Sequence, residues 1–214
     1  MATTADISLL GHGAACDGTT SDTAALVKAF AAAAVAVRRG AGVAAVRVPA
    51  GRTCITGPFN ISANHTTLYL ETGSTLRASD DPALWVNSSV SWPTYGPART
   101  LSGFVGLYSV TGSGISGPGS LDMNGKAWHG GRLDPKNDYK NLPHFVIVHN
   151  STDIRLQGAT FLNGACWNIH LLYSTRCTID RVRIETPFKG TDGIDVDSST
   201  RVAISNSFIS KRRK

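Results

Sequence analysis

Ser151-Thr152-Asp153-Ile154-Arg155-Leu156, Ser174-Thr175-Arg176-Cys177-Thr178-Ile179 and Ser199-Thr200-Arg201-Val202-Ala203-Ile204 are three copies of one segment, starting 23 and then 25 residues apart. Phe161, Ile184 and Ile209 follow each opening serine by ten residues. Stacking the copies gives three apolar columns: Ile154/Cys177/Val202, Leu156/Ile179/Ile204 and Phe161/Ile184/Ile209. Asp180 and Ser205 alternate with them and are expected on the outside. Thr67-Leu68-Tyr69-Leu70-Glu71-Thr72-Gly73 and Ser113-Gly114-Ile115-Ser116-Gly117 echo the pattern more loosely. Short strands repeating every ~24 residues predict a parallel β-helix, in which successive turns stack and inward residues form ladders. A leucine-rich horseshoe has a similar period but needs a fixed Leu/Asn consensus that these segments lack.

Working outward, one helix is expected at residues 22–39. Ser21-Asp22 supplies an N-cap, Thr23 to Phe30 and an alanine run follow, and Arg38-Arg39-Gly40 closes it. It can cover the open N-terminal end of the cylinder, where apolar residues and strand edges would otherwise meet water. The rest reads as short strands cut by Gly, Asn and Ser turns, with residues 123–144 a long loop off one coil. The expected fold is all-β: a parallel β-helix with an N-terminal capping helix, in a single, incomplete domain over residues 1–214.

Composition agrees with β structure: 42% hydrophobic, only 17% charged, and 22 glycines for turns. The net charge of +6 is mostly the basic end Lys211-Arg212-Arg213-Lys214, so no nucleic-acid partner is expected. No apolar run is long enough to span a membrane, so no membrane partner is expected either. Four sequons, beginning at Asn60, Asn64, Asn87 and Asn150, favour a secretory route, although Met1-Ala2-Thr3-Thr4-Ala5-Asp6 is not a signal peptide. Cys16, Cys54, Cys166 and Cys177 show no metal-binding spacing; Cys177 falls on an inward column and is expected as a structural thiol. No metal site or cofactor is expected.

Gly190-Thr191-Asp192-Gly193-Ile194-Asp195-Val196-Asp197-Ser198-Ser199 holds three carboxylates within six residues. Such clusters are costly unless they bind cations or share proton transfer. Asp195 and Asp197 alternate with Ile194 and Val196 on one strand face and are expected to make turn hydrogen bonds to Ser198, Ser199 and nearby amides. Asp192 stands apart from them, inside a longer ordered series of motifs. Those motifs are Leu10-Gly11-His12-Gly13-Ala14, Asp17-Gly18, Asp22-Thr23, Val48-Pro49-Ala50-Gly51, Thr56-Gly57-Pro58-Phe59, Gly73-Ser74-Thr75-Leu76, Trp167-Asn168-Ile169-His170 and Thr191-Asp192-Gly193-Ile194-Asp195. In this order they resemble the polygalacturonase-like family, glycoside hydrolase family 28, over nearly the whole chain.

The resemblance implies a right-handed, single-stranded β-helix and an inverting hydrolase of pectic polysaccharide or oligogalacturonide, monomeric, extracellular and active in the cell wall. In that chemistry one carboxylate activates water and another protonates the leaving oxygen. Asp192 matches the family's catalytic aspartate, with Gly190 where the family has asparagine. Trp167, Asn168 and His170 are the expected substrate-binding residues: Trp167 for sugar stacking or half-buried packing, His170 for a substrate contact or a structural hydrogen bond. His12, within the N-terminal motif, is expected to have no catalytic role. The resemblance places the partner carboxylates just after Ser210, where this sequence has Lys211-Arg212. The chain is therefore expected to be an N-terminal portion with weak or no activity, and its last coil to be marginally stable. Two alternatives remain: a non-catalytic carbohydrate-binding protein, and a calcium-dependent eliminase of the pectate-lyase kind using the three aspartates.

Overall fold

The computed structural model describes residues 3–85, 102–136 and 142–211. The sequon at Asn87 lies outside the described residues. From the second coil to the coil before Ala203, each runs through a strand of sheet A, then sheet B, then sheet C, whereas the first passes from sheet B into the helix. In the coil containing the second repeat, these strands are Thr178–Asp180, Arg183–Thr186 and Ile194–Asp197. Sheets A and B each hold seven strands and sheet C five, all stacked coil upon coil. The chain thus forms the expected right-handed parallel β-helix.

The columns read from the repeat are the columns of the core. Leu156 pairs with Ile179 and Ile179 with Ile204 in sheet A; Phe161 pairs with Ile184 and Ile184 with Ile209 in sheet B. Gln157, Asp180 and Ser205 form the adjacent outward row, and Ser205 Oγ donates to Asp180 Oδ1 at 2.9 Å. The looser echo also holds, since Leu68 pairs with Ile115. The Ser-Thr dipeptide that opens each copy has a structural cause. Ser151 Oγ donates to the His149 carbonyl and accepts from Val110 N; Ser174 Oγ donates to the Leu172 carbonyl and accepts from Ser151 N. Ser199 continues the ladder by accepting from Ser174 N at 3.0 Å. The corner between sheets C and A thus satisfies with serine hydroxyls amides that a buried bend would leave unpaired. Thr152, Thr175 and Thr200 then bridge coil to coil. Asp153, Arg176 and Arg201 follow them in the left-handed region, at φ 56°, 54° and 54°.

The helix spans Thr23–Arg38 and buries Ala25, Leu26, Ala29, Phe30 and Ala33 against the first coils. Its Phe30 begins an aromatic file through the core: ring centroids are 5.6 Å apart for Phe30–Phe59, 5.6 Å for Phe59–Phe104 and 6.1 Å for Phe104–Phe145. The capping prediction needs correction in its mechanism. Asp22 occupies the N-cap position, but its carboxylate makes no helix-capping bond. It is buried and accepts instead from the amides of Ala15, Cys16 and Ile55. Asp22 therefore ties the entry of the helix to the second coil. Beside it Cys16 and Cys54 form a disulfide, a link that sequence spacing did not identify. Cys177 is the buried thiol expected of its column. At the other end Val196, Ile204, Phe208 and Ile209 are 47–50% exposed, whereas Ile179 and Ile184, one coil earlier, are fully buried.

Candidate active site

Strand alternation divides sheet C into two faces. Val146/Ile169 and Val148/Leu171 point into the core, while Ile147/His170/Asp195 and His149/Leu172/Asp197 form rows across the outer face. Ile147, Leu172 and Tyr108 make a small apolar cluster there, separate from the main core.

Asp192 sits at the rim of this face, in the segment entering the strand Ile194–Asp197. Its side chain is exposed while its backbone is held: its carbonyl accepts from Asn168 N at 2.9 Å and from Asn168 Nδ2 at 2.8 Å. The neighbouring motif residues have distinct jobs. Thr191 Oγ1 donates to the Phe188 carbonyl at 2.7 Å and accepts from Thr186 Oγ1, which clamps the bend before Asp192. Gly193 lies so close to the next coil that a Cβ would stand 2.7 Å from Ile209 Cγ2. Gly190 has φ 72° and open space around it, so the bend needs a residue that tolerates the left-handed region, as glycine and asparagine both do.

Of the residues expected to bind substrate, Trp167 is half-buried, and Asn168 and His170 are fully buried. Asn168 spends its amide on Asp192. His170 lies beneath two rings: Trp167 meets it edge-on at 5.0 Å between centroids, and His144 at 5.2 Å. His144 also meets Trp167 at 4.9 Å. Asp195 neighbours His170 in register, and Asp197 Oδ2 lies 3.9 Å from His170 Nε2. That separation is an electrostatic contact rather than a hydrogen bond. The turn chemistry expected of Asp197 is present, since Ser198 Oγ donates to its Oδ1 and Ser199 Oγ to its carbonyl. Its other carboxylate oxygen nevertheless belongs to the imidazole cluster. His12 is far simpler: its Nδ1 contacts the Ser8 carbonyl at 2.9 Å within a short 3-10 turn.

Sequence reading missed a file of rings along the edge of the same face. Tyr108 and His149 are 6.2 Å apart, and His149 and Tyr173 meet edge-on at 5.9 Å. Burial raises the Tyr108 phenol to about 12 and lowers the His149 imidazole below its usual value. Both effects keep the rings neutral near neutral pH. His144 was also missed. It precedes the strand Val146–His149 and joins the cluster only through the packing of successive coils. Among the described residues, the only cluster with metal-ligand spacing is Cys16, Asp22 and Cys54, whose cysteines are already joined as a disulfide.

The sequence model of the glycosyl hydrolases family 28 matches residues 47–212. A probable polygalacturonase of Vitis vinifera is 32% identical, with the match covering 94% of this chain and 42% of that protein. An endo-polygalacturonase of Pectobacterium parmentieri is 29% identical over 77% of this chain and 44% of its own. The chain therefore spans less than half the length of these relatives. Among solved structures, the family 28 exopolygalacturonase of Yersinia enterocolitica superposes with a TM-score of 0.79 at 17% identity, covering 98% of this chain and 43% of that one. The hyperthermoactive exopolygalacturonase of Thermotoga maritima gives a TM-score of 0.76 at 19% identity, over 95% of this chain and 52% of that one. The family match extends over most of the chain and includes the strand-entry segment around Asp192, and it shows that this protein belongs to glycosyl hydrolases family 28.

Proposed function

We propose that the protein acts on pectic polysaccharide as a polygalacturonase-type glycoside hydrolase of the inverting kind, with Asp192 as one of its two catalytic carboxylates. The observation that carries this reading is the exposed Asp192 side chain on a backbone pinned twice by Asn168, at the rim of the outer face of sheet C, with half-buried Trp167 beside buried His170. A carboxylate that must meet a glycosidic oxygen or a water needs an accessible side chain and a fixed main chain. In this arrangement Trp167 offers the surface for a sugar ring. Asn168 acts as a positioning residue through Asp192, and buried His170 supports the floor together with Asp195 and Asp197.

The site of action we assign is extracellular, at the cell wall. The Cys16–Cys54 disulfide suits an oxidising compartment, and the sequon asparagines Asn60, Asn64 and Asn150 are exposed. No described helix is long and apolar enough to cross a membrane. We further propose a monomer with no nucleic-acid partner.

Reducing ends released from polygalacturonate test the hydrolase reading, using the 214-residue chain and a fusion of it to the C-terminal coils of a full-length family 28 relative. Turnover is expected in at least the fusion, falling by about 10²–10⁴-fold in Asp192→Asn, the range for loss of a general acid or base. No turnover in either protein would sink the hydrolase reading. Oligogalacturonide binding without turnover in both would favour the carbohydrate-binding alternative.

A further inference from the structure

A second concavity lies on a different flank, at the corner where sheet B turns towards sheet C. It encloses about 580 Å³ and is lined by Arg77, Asp122, Asn124, Lys126, Asn163 and Phe188, among others. That volume is within the range of small-molecule sites. Its floor is built rather than incidental. The Asp122 side chain is only 8% exposed and accepts from Asn124 N at 2.9 Å, Asn163 Nδ2 at 3.0 Å and Arg77 Nε at 3.0 Å. The Nε bond ties the Arg77 guanidinium to this carboxylate, while its terminal nitrogens make no hydrogen bond among the described residues. Lys126, on the short turn Gly125–Ala127, makes no ion pair among the described residues. One wall is the Phe188 ring, stacked on His129 at 4.7 Å and 5° and adjoining Gly125.

We infer that this corner pocket is an accessory binding site for an acidic sugar, a uronate residue of the same pectic polymer. The inference rests on the pectic reading of the chain for the identity of the sugar. Two cationic side chains above a single buried carboxylate leave one positive charge in excess, which suits a monoanion. Arg77 offers planar two-nitrogen recognition of a carboxylate. Asn124 and Asn163 bring amide groups suited to hydroxyls, and Phe188 with Pro187 supplies an apolar wall for the C–H face of a pyranose. A simple inorganic anion would use the cations and leave that wall unused. The pocket also shares a segment with the candidate active site. The Phe188 carbonyl accepts from Thr191 Oγ1, and Asp192 follows directly. A sugar seated against Phe188 therefore bears on the bend that presents Asp192.

The test is an NMR titration of the Asp192→Asn chain with trigalacturonate, and with neutral galactotriose, at physiological salt. Trigalacturonate is expected to shift the amides of Gly125, Lys126, Asn163 and Phe188 saturably, while galactotriose does not. Lys126→Gln is expected to weaken the pocket response at least fivefold while leaving shifts at Ile169 and Gly193 unchanged. Arg77→Gln is a second variant with the same expectation, read after its fold is checked by the dispersion of the remaining amides. The inference is overturned if the pocket amides do not respond, if galactotriose matches trigalacturonate, or if Lys126→Gln binds as tightly as its parent. Response at Ile169 and Gly193 alone would retain the pectic reading and discard the pocket. Response at the pocket alone would retain the uronate site and discard the placement of the active site at Asp192.

Discussion

Asn168 holds the main chain of Asp192 from the neighbouring coil. Its buried side chain has one visible task, the 2.8 Å bond to the Asp192 carbonyl. Asn168→Ala removes that donor while the main-chain bond to the same carbonyl stays, and is expected to cost about 0.5–1.5 kcal/mol of stability. In a turnover-competent form it should lower kcat with little change in KM, because the carboxylate is displaced rather than the sugar contacts. Equal kcat in variant and parent would show that Asp192 needs no such anchor. His149 carries the residue-scale prediction for pH. Burial lowers its pKa below 6.5, so the unfolded chain takes up a proton before the folded one does. Its contribution is complete above the ordinary imidazole value and is lost as pH falls through it to the lowered folded value. Urea midpoints should therefore fall below about pH 6.5, and His149→Gln should flatten that part of the profile. An unchanged profile in the variant would remove His149 from the account.

The N-terminal helix is stapled to the second coil at its entry end. Asp22 gathers three amides from two separate segments, and the Cys16–Cys54 bond joins the same segments covalently. Cys54→Ala is expected to destabilise the folded chain by about 2–5 kcal/mol, the range for loss of a native disulfide in a small secreted domain. Equilibrium denaturation of variant and parent checks this, and a loss under 1 kcal/mol would show that Asp22 and helix packing hold the cap unaided. The helix itself was legible from its alanine-rich run and its Arg-Arg-Gly end. The staple was not, because sequence separation alone does not tell which distant segments become neighbours across a coil.

Across the whole molecule, stability is expected to grade along the cylinder axis. Each middle coil has a neighbour on both sides, and its inward side chains are fully covered. In the coil of Ala203–Ser205 and Phe208–Lys211, Ile204, Phe208 and Ile209 are about half exposed, between 48% and 50%. Amides of residues 203–209 should exchange far faster than those of the paired strands one coil earlier. Equal protection in a monomer would contradict the gradient. At low pH the outer ladders should fail as well. Hydrogen bonding to Arg176 lowers the Asp153 pKa, and bonding to Asn206 and Ser205 lowers that of Asp180. Their contributions are present above the usual carboxylate value and are lost as pH falls through the lowered ones.

The sequence by itself determined the winding of this protein. A period set by Ser-Thr corners and three inward columns allows one register, since a one-residue slip would turn Ile179 outward and Asp180 into the core. It pointed to Asp192 only through the family resemblance of the motif around it, Thr191-Asp192-Gly193-Ile194-Asp195. The tertiary structure alone decided which distant side chains meet. His144, Trp167 and His170 come from two different coils, the rings of Tyr108, His149 and Tyr173 from three, and Cys16 meets Cys54 across the end of the cylinder. It also put the side-chain amide of Asn168, an expected sugar contact, on the Asp192 carbonyl. Such neighbours depend on how coils of unequal length stack, and that spacing is fixed by packing rather than by any local pattern.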